Sequence, residues 1–192
     1  VLSYAATDIE GHVSHVRDPT SEKRTQLLLI DISRAYSNAK TDDRDPVYVE
    51  FPPEIGASPG MCGLLRRHMY GTRRAAEGWQ DEYSSSLVEI GFTHGAASPC
   101  VFHHKARGIM VSVHGDDFTV TGPTHSLEWL RHEMANRYDI KSVILGPEEG
   151  MKTQIRILSR VVTWTGDGIE YEADQRHADL IVSGMGLNAD SK

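Results

Sequence analysis

The sequence predicts an α+β fold, with helices packed on one face of a mixed or antiparallel sheet, and three observations carry that expectation. The run Leu27 to Ile30 is short and apolar, with the length and composition of a buried strand. From Ala75 to Ile90, Ala76, Trp79, Tyr83, Leu87 and Ile90 recur at spacings of three and four, which places them on one stripe of an amphipathic helix. "GIMVSV" and "FTVTG" alternate apolar and small polar residues on either side of "HGDD", the pattern of a hairpin.

The elements follow in order. Residues 10 to 24 are polar and contain Gly11 and Pro19, so they read as a loop or a weakly ordered lead-in. The strand Leu27 to Ile30 then delivers Asp31 at its end. In "DPVYVEFPPEIGASPG", Val47, Val49 and Phe51 alternate with Tyr48 and Glu50 until Pro52, Pro53 and Pro59 intervene: an edge strand followed by a loop. Gly91 closes the helix that starts at Ala75. "CVFHH" and "GIMVSV" are strands separated by "KARG". A second helix runs from about Ser126 to Tyr138 with Leu127, Leu130, Met134 and Tyr138 on one face, and Thr124 or Ser126 as its N-cap. "IRILSRVVTW" and "GIEYEA" flank "TGDG", a glycine-rich hairpin turn. A final helix, about Asp174 to Met185, carries Ala178, Leu180, Ile181 and Met185.

A chain of 192 residues with 39% hydrophobic and 24% charged content has enough apolar material for one domain with a sizeable core. Its net charge of −7 argues against a generally basic surface that coats nucleic acid, so any contact with phosphates must come from a local patch. Cys62 and Cys100 lie far apart without CxxC spacing, which gives neither a disulfide framework nor a zinc site. Buried, inert thiols in a reducing intracellular compartment are expected. No apolar run approaches the roughly 20 residues that span a bilayer, so no membrane partner is expected. The start at Val1 reads as a piece of a longer product.

The acidic residues pose the chemical question. Asp116 and Asp117 stand side by side at a hairpin turn, where each raises the cost of ionising the other. Taken alone, such a pair is ordinary solvated turn chemistry. Together with Asp31 at another strand end it makes a hard-oxygen site suited to Mg²⁺, whose charge removes the repulsion. Two such ions about 4 Å apart can activate an attacking hydroxyl and stabilise a leaving pyrophosphate.

Six segments set these acids in a wider pattern: "LLLIDISRAY", "VYVEFPPEIG", "MCGLLRRHMYGTRRAAEGW", "LVEIGFTHGAASPCVF", "VSVHGDDFTVTG" and "GIEYEADQRHADLIVSGMGL". In order and spacing they closely resemble the reverse transcriptase of copia-type retrotransposons, over about residues 26 to 187. The resemblance implies a right-hand polymerase palm with a partial fingers segment: lead-in and partial fingers over 1–25, palm with fingers elements over 26–187, and a tail over 188–192. It further implies an RNA-directed DNA polymerase, part of a retrotransposon polyprotein that works with DNA integration. Such an enzyme extends a primer on an RNA or DNA template with deoxynucleoside triphosphates, using Mg²⁺, or Mn²⁺ in its place. Polyprotein partners and a place in a cytoplasmic particle or the nucleus go with it.

By the same resemblance Asp31, Asp116 and Asp117 are the catalytic and metal-binding carboxylates. Tyr36 matches the aromatic that lies under the incoming sugar and excludes a 2′-hydroxyl. His114 and Gly115 stand where the family has Tyr and Val, beside the primer end and the sugar. Arg73 and Arg74 lie where the family places the incoming nucleotide, with Arg74 replacing its Gln and Ala76 its Pro. Ser159 replaces the Gly of the hairpin that would hold the primer.

Other residues have plainer readings. Lys23 and Arg24 are solvated loop charges. Arg66, Arg67, Arg73 and Arg74 form either a phosphate-contacting patch or a surface paired with Glu77, Asp81 and Glu82. Trp79, Tyr83 and Trp129 belong to helix faces in the core. The spacing of His103, His104, His114 and His125 follows no zinc pattern. Two further functions remain open: a catalytically inactive retroelement-derived remnant that binds nucleic acid or a partner, and a metal-dependent phosphohydrolase, which leaves five of the six segments unexplained.

Overall fold

In the computed structural model the described residues are 2–5, 25–165, 168–173 and 175–187. Lys23, Arg24, most of the lead-in, residues 166 and 167 of the "TGDG" turn and the tail from residue 188 lie outside them. After a short helix, α1 (Leu2–Ala5), come β1 (Thr25–Ile32), β2 (Tyr48–Glu50) and β3 (Cys62–Leu64). Helix α2 (Ala75–Glu89) leads to β4 (Thr93–His94), β5 (Val101–His104), β6 (Ile109–His114) and β7 (Asp117–Pro123). Helix α3 (Thr124–Arg137), β8 (Ile140–Leu145), β9 (Gln154–Ile157), β10 (Arg160–Trp164), β11 (Ile169–Ala173) and α4 (Gln175–Gly184) complete the order.

Six strands form the main sheet in the order β4-β5-β6-β7-β1-β8. Every neighbouring pair in it is antiparallel. Central β1 is apolar on both faces because both are covered. Leu28, Ile30 and Ile32 face α2 and α3, joining Trp79, Tyr83 and Leu87 from one helix and Leu127, Leu130 and Met134 from the other. Leu27 and Leu29 face the opposite way, towards a smaller cluster with Ala5, Leu145, Ile155, Val162 and Trp164. That second face is covered by a separate sheet of order β11-β10-β9. The expected α+β arrangement, helices on one face of an antiparallel sheet, is therefore present.

Local chemistry sets the element ends. Helix α2 closes on Gly91 at φ +96°, with Gly91 N–H donating to Val88 C=O and Phe92 N–H to Leu87 C=O. Phe92 and Leu87 both lie in the larger core, so backbone and apolar contacts terminate the helix together. Neither Thr124 nor Ser126 caps α3: the N-cap is Pro123, and the Thr124 hydroxyl instead donates to Gln26 Oε1 at 2.8 Å. "IRILSRVVTW" is two strands rather than one, because Leu158 and Ser159 both take positive φ and turn the chain back. Leu-Ser lacks the Gly or Asn that ordinarily marks a turn of positive φ, which hid this hairpin.

The ribbon β2–β3 stands apart from the main sheet. With no second layer over it, Cys62 is exposed, and Cys100, in the loop before β5, is only half-buried, so the expectation of two buried thiols fails. Trp79 and Tyr83 are core residues as expected, 1% and 4% exposed. Trp129 is half-buried beneath the Arg107 guanidinium, 3.7 Å from the ring centre. Among the described residues no helix is long and apolar enough to cross a membrane.

Candidate active site

Strand β1 and the β6–β7 hairpin deliver the three aspartates. Asp31 pairs directly with Asp117 across the β1–β7 ladder. Directly opposed residues of an antiparallel pair share a face. Since Ile30 and Ile32 point to the helices, Asp31 and Asp117 stand on the other side. His114 pairs with Asp117, leaving Gly115 and Asp116 as a two-residue turn. Gly115 has φ +64° and Asp116 is not among the positive-φ residues, so this is a glycine-first hairpin turn.

Two contacts fix that turn. Asp116 C=O accepts from Ile32 N–H at 3.1 Å, and Gly115 C=O accepts from the Trp79 indole N–H at 2.8 Å. Trp79 thus has a second role that its helical spacing did not reveal: from inside the core it holds the carbonyl next to Asp116.

The aspartates sense one another. Partial desolvation, then the charges of Asp116 and Asp31, push the Asp117 carboxyl up, with His114 opposing. On the other side of Asp31, β8 places Lys141 directly opposite. A row Asp117, Asp31, Lys141 thus crosses three strands on one face. With Leu29, Thr119, Val143, Arg156 and Ile157 it lines a slot of about 260 Å³. Sequence reasoning missed Lys141 because the β1–β8 register, not local pattern, brings it there.

Tyr36 lies on a single 3₁₀ turn, Ala35–Asn38, which begins after Arg34 at φ +53°. Its half-buried ring packs against the larger core and meets Tyr70 edge-on, with centroids 4.4 Å apart. The Tyr70 hydroxyl donates to Asp116 Oδ2 at 3.3 Å. His114 and Gly115 are exposed beside the aspartates. The arginines diverge from this group. Arg74 is bound by Glu77 at 2.9 Å and Asp42 at 3.6 Å, and it lines a different cleft with His68, Asp81 and Glu82. Arg67 donates to Asn38 C=O at 2.6 Å, whereas Arg73 is exposed.

Among the described residues no three His, Cys, Asp or Glu side chains form a group able to hold a metal ion as they stand. The donor chemistry nevertheless fits a hard divalent cation: carboxylate oxygens at strand ends and a hairpin turn, one of them pushed towards its protonated form by partial desolvation and by the charges of the other two. Asp31, Asp116 and Asp117 are the residues that would hold it.

Residues 20–148 match the model of the family described as reverse transcriptase (RNA-dependent DNA polymerase). The chain is 27% identical over 119 residues to a putative transposon Ty5-1 protein, YCL074W, of Saccharomyces cerevisiae, a match covering 59% of this chain and 38% of that protein. Among solved structures, apo telomerase from Candida tropicalis, truncated from its C-terminal domain, aligns over 82% of this chain and 37% of its own, with TM-score 0.46 and 10% identity. Telomerase from Candida albicans, in complex with a fragment of telomeric RNA, aligns over 83% and 33%, with TM-score 0.41 and 11% identity. The chain spans well under half the length of each of these relatives. The family match over residues 20–148 shows that the chain belongs to the reverse transcriptase family, as a domain of the copia retrotransposon type.

Proposed function

We propose that this chain is the palm-bearing part of an RNA-directed DNA polymerase that adds deoxynucleotides to a primer by two-metal phosphoryl transfer. The observation that carries the reading is the pairing of Asp31 with Asp117, beside Asp116, on one face of the sheet. Phosphoryl transfer needs chiefly positioning and charge neutralisation. Asp31, Asp116 and Asp117 would hold Mg²⁺ or Mn²⁺, which would supply Lewis-acid activation of the primer hydroxyl and charge neutralisation at the leaving pyrophosphate.

The remaining work falls to the protein. Trp79 and Ile32 keep the Gly115-Asp116 turn fixed relative to β1. Tyr36 presents its ring to the sugar of the incoming nucleotide and excludes a 2′-hydroxyl. Gly115 leaves that sugar room on the hairpin side, since no neighbouring atom lies within 4 Å of where a Cβ would stand. Lys141, opposite Asp31 across the ladder, offsets the negative charge of the row. Exposed Arg73 is available to the template or primer backbone, while Arg74 must first leave Glu77 and Asp42.

Primer extension on RNA and DNA templates with Mg²⁺ or Mn²⁺ tests this, alongside the Asp116→Asn, Asp117→Asn double variant. Extension in the unsubstituted chain that the double variant loses by at least a hundredfold is expected. Folded protein that binds primer and template without extending them would replace this reading with that of an inactive, nucleic-acid-binding remnant.

A further inference from the structure

Tyr70 occupies a position that neither its burial nor its local structure requires. It lies between β3 and α2, in a turn closed by Thr72 N–H and Thr72 Oγ donating to Met69 C=O at 3.1 and 2.8 Å. Gly71 follows at φ +86°, a conformation that redirects the chain immediately after it. The side chain remains 53% exposed, so burial alone does not hold it. Yet it touches two residues that the polymerase reading puts at the centre of the reaction. Its ring meets Tyr36 edge-on at 4.4 Å and 78°, and its hydroxyl donates to Asp116 Oδ2 at 3.3 Å.

We propose that Tyr70 is a positioning residue of the nucleotide site: its ring braces Tyr36 for sugar selection, and its hydroxyl orients the carboxylate of Asp116. The proposal rests on the polymerase reading and assigns it a specificity determinant. Tyr36 packs against the core on one side. Tyr70 adds a second, edge-on contact, so together they restrict the rotamers of the ring that would meet a 2′-hydroxyl. A side chain held by two contacts discriminates by shape; one held by a single contact can yield. The hydroxyl makes a separate contact, because a carboxylate oxygen that accepts from Tyr70 is held in one orientation while keeping a further lone pair for a cation.

The two contacts can be separated by substitution. Tyr70→Phe keeps the ring and removes the hydroxyl; Tyr70→Ala removes both. The full chain is assayed with primer and template for incorporation of dCTP against CTP, and for equilibrium binding of the same two nucleotides by fluorescence quenching. Mn²⁺ binding is read separately by electron paramagnetic resonance, and circular dichroism checks folding. Tyr70→Ala is expected to lower the deoxyribose-to-ribose preference by about tenfold, the scale of a lost apolar wall. Tyr70→Phe is expected to keep that preference within about threefold and to weaken Mn²⁺ binding by about tenfold, as loss of a partner behind a metal ligand does. A chain that discriminates, with a folded Tyr70→Ala variant that discriminates equally, overturns the role of Tyr70 alone. An unsubstituted chain that neither extends a primer nor binds dCTP overturns the polymerase reading and this role with it.

Discussion

At Asp117, partial desolvation and the charges of Asp116 and Asp31 act in the same direction, towards the protonated carboxyl. A carboxylate whose folded pKa is raised binds more protons folded than unfolded, so stability falls as pH rises through the interval from the unfolded to the folded value. Asp117→Asn removes this loss. Urea melts from pH 3 to pH 7 are expected to show the variant gaining on the unsubstituted protein as pH rises, with no difference below the ordinary aspartate range and a smaller one at pH 7 when Mg²⁺ is added. An advantage that grew on acidification would contradict the assignment. Of the candidate site, the three aspartates could be named from the sequence because they stand at strand ends and at a hairpin turn, and Tyr36 from the family resemblance alone. Tyr70 and Lys141 could not: one reaches Asp116 from a loop, and the other faces Asp31 through a ladder whose register no local pattern specifies.

Turns separate the elements that could be read from those that could not. Helix α2 was legible to within a residue because Gly91 and the Leu87–Phe92 contact are written into the sequence beside its apolar stripe. The β9–β10 hairpin was not, because Leu158 at φ +46° and Ser159 at φ +60° fill positions that glycine or asparagine normally takes. The loss of glycine at residue 159, which counted in the sequence as a departure from the family, is in the structure a local strain. Ser159→Gly is expected to raise stability by about 1 kcal/mol, measured by denaturant unfolding, because it relieves a left-handed conformation that side chains resist. No gain would mean that the flanking ladder sets the turn at no cost to serine. The N-terminus of α3 was misread for a related reason: Thr124 has a suitable hydroxyl, but Gln26 on β1 claims it. Tertiary partners overrode local capping preference.

For the molecule as a whole, one sheet separates two unequal clusters, and Asp31 and Asp117 stand on the side of the smaller one. Local opening follows the amount of apolar packing. Native-state hydrogen exchange is therefore expected to be slowest in β1 and β7, which sit between covered faces, and faster in β9, β10 and β11 and in the β2–β3 ribbon. Uniform protection across these strands would show instead that both layers open as one unit. The layer of helices against one face of a sheet was legible from alternation and helical spacing; the division of the strands into three sheets was not, because short strands carry no mark of the neighbour they will choose. Strand β1 feeds both clusters by alternate residues and carries Asp31 on the same count. Adding or deleting one residue upstream within that strand would send Asp31 towards the helices and exchange the lining of both interiors at once. Along this stretch the chain can vary in side chain far more freely than in length: the distance in residues from Leu27 to Asp31 is itself part of what the sequence must preserve.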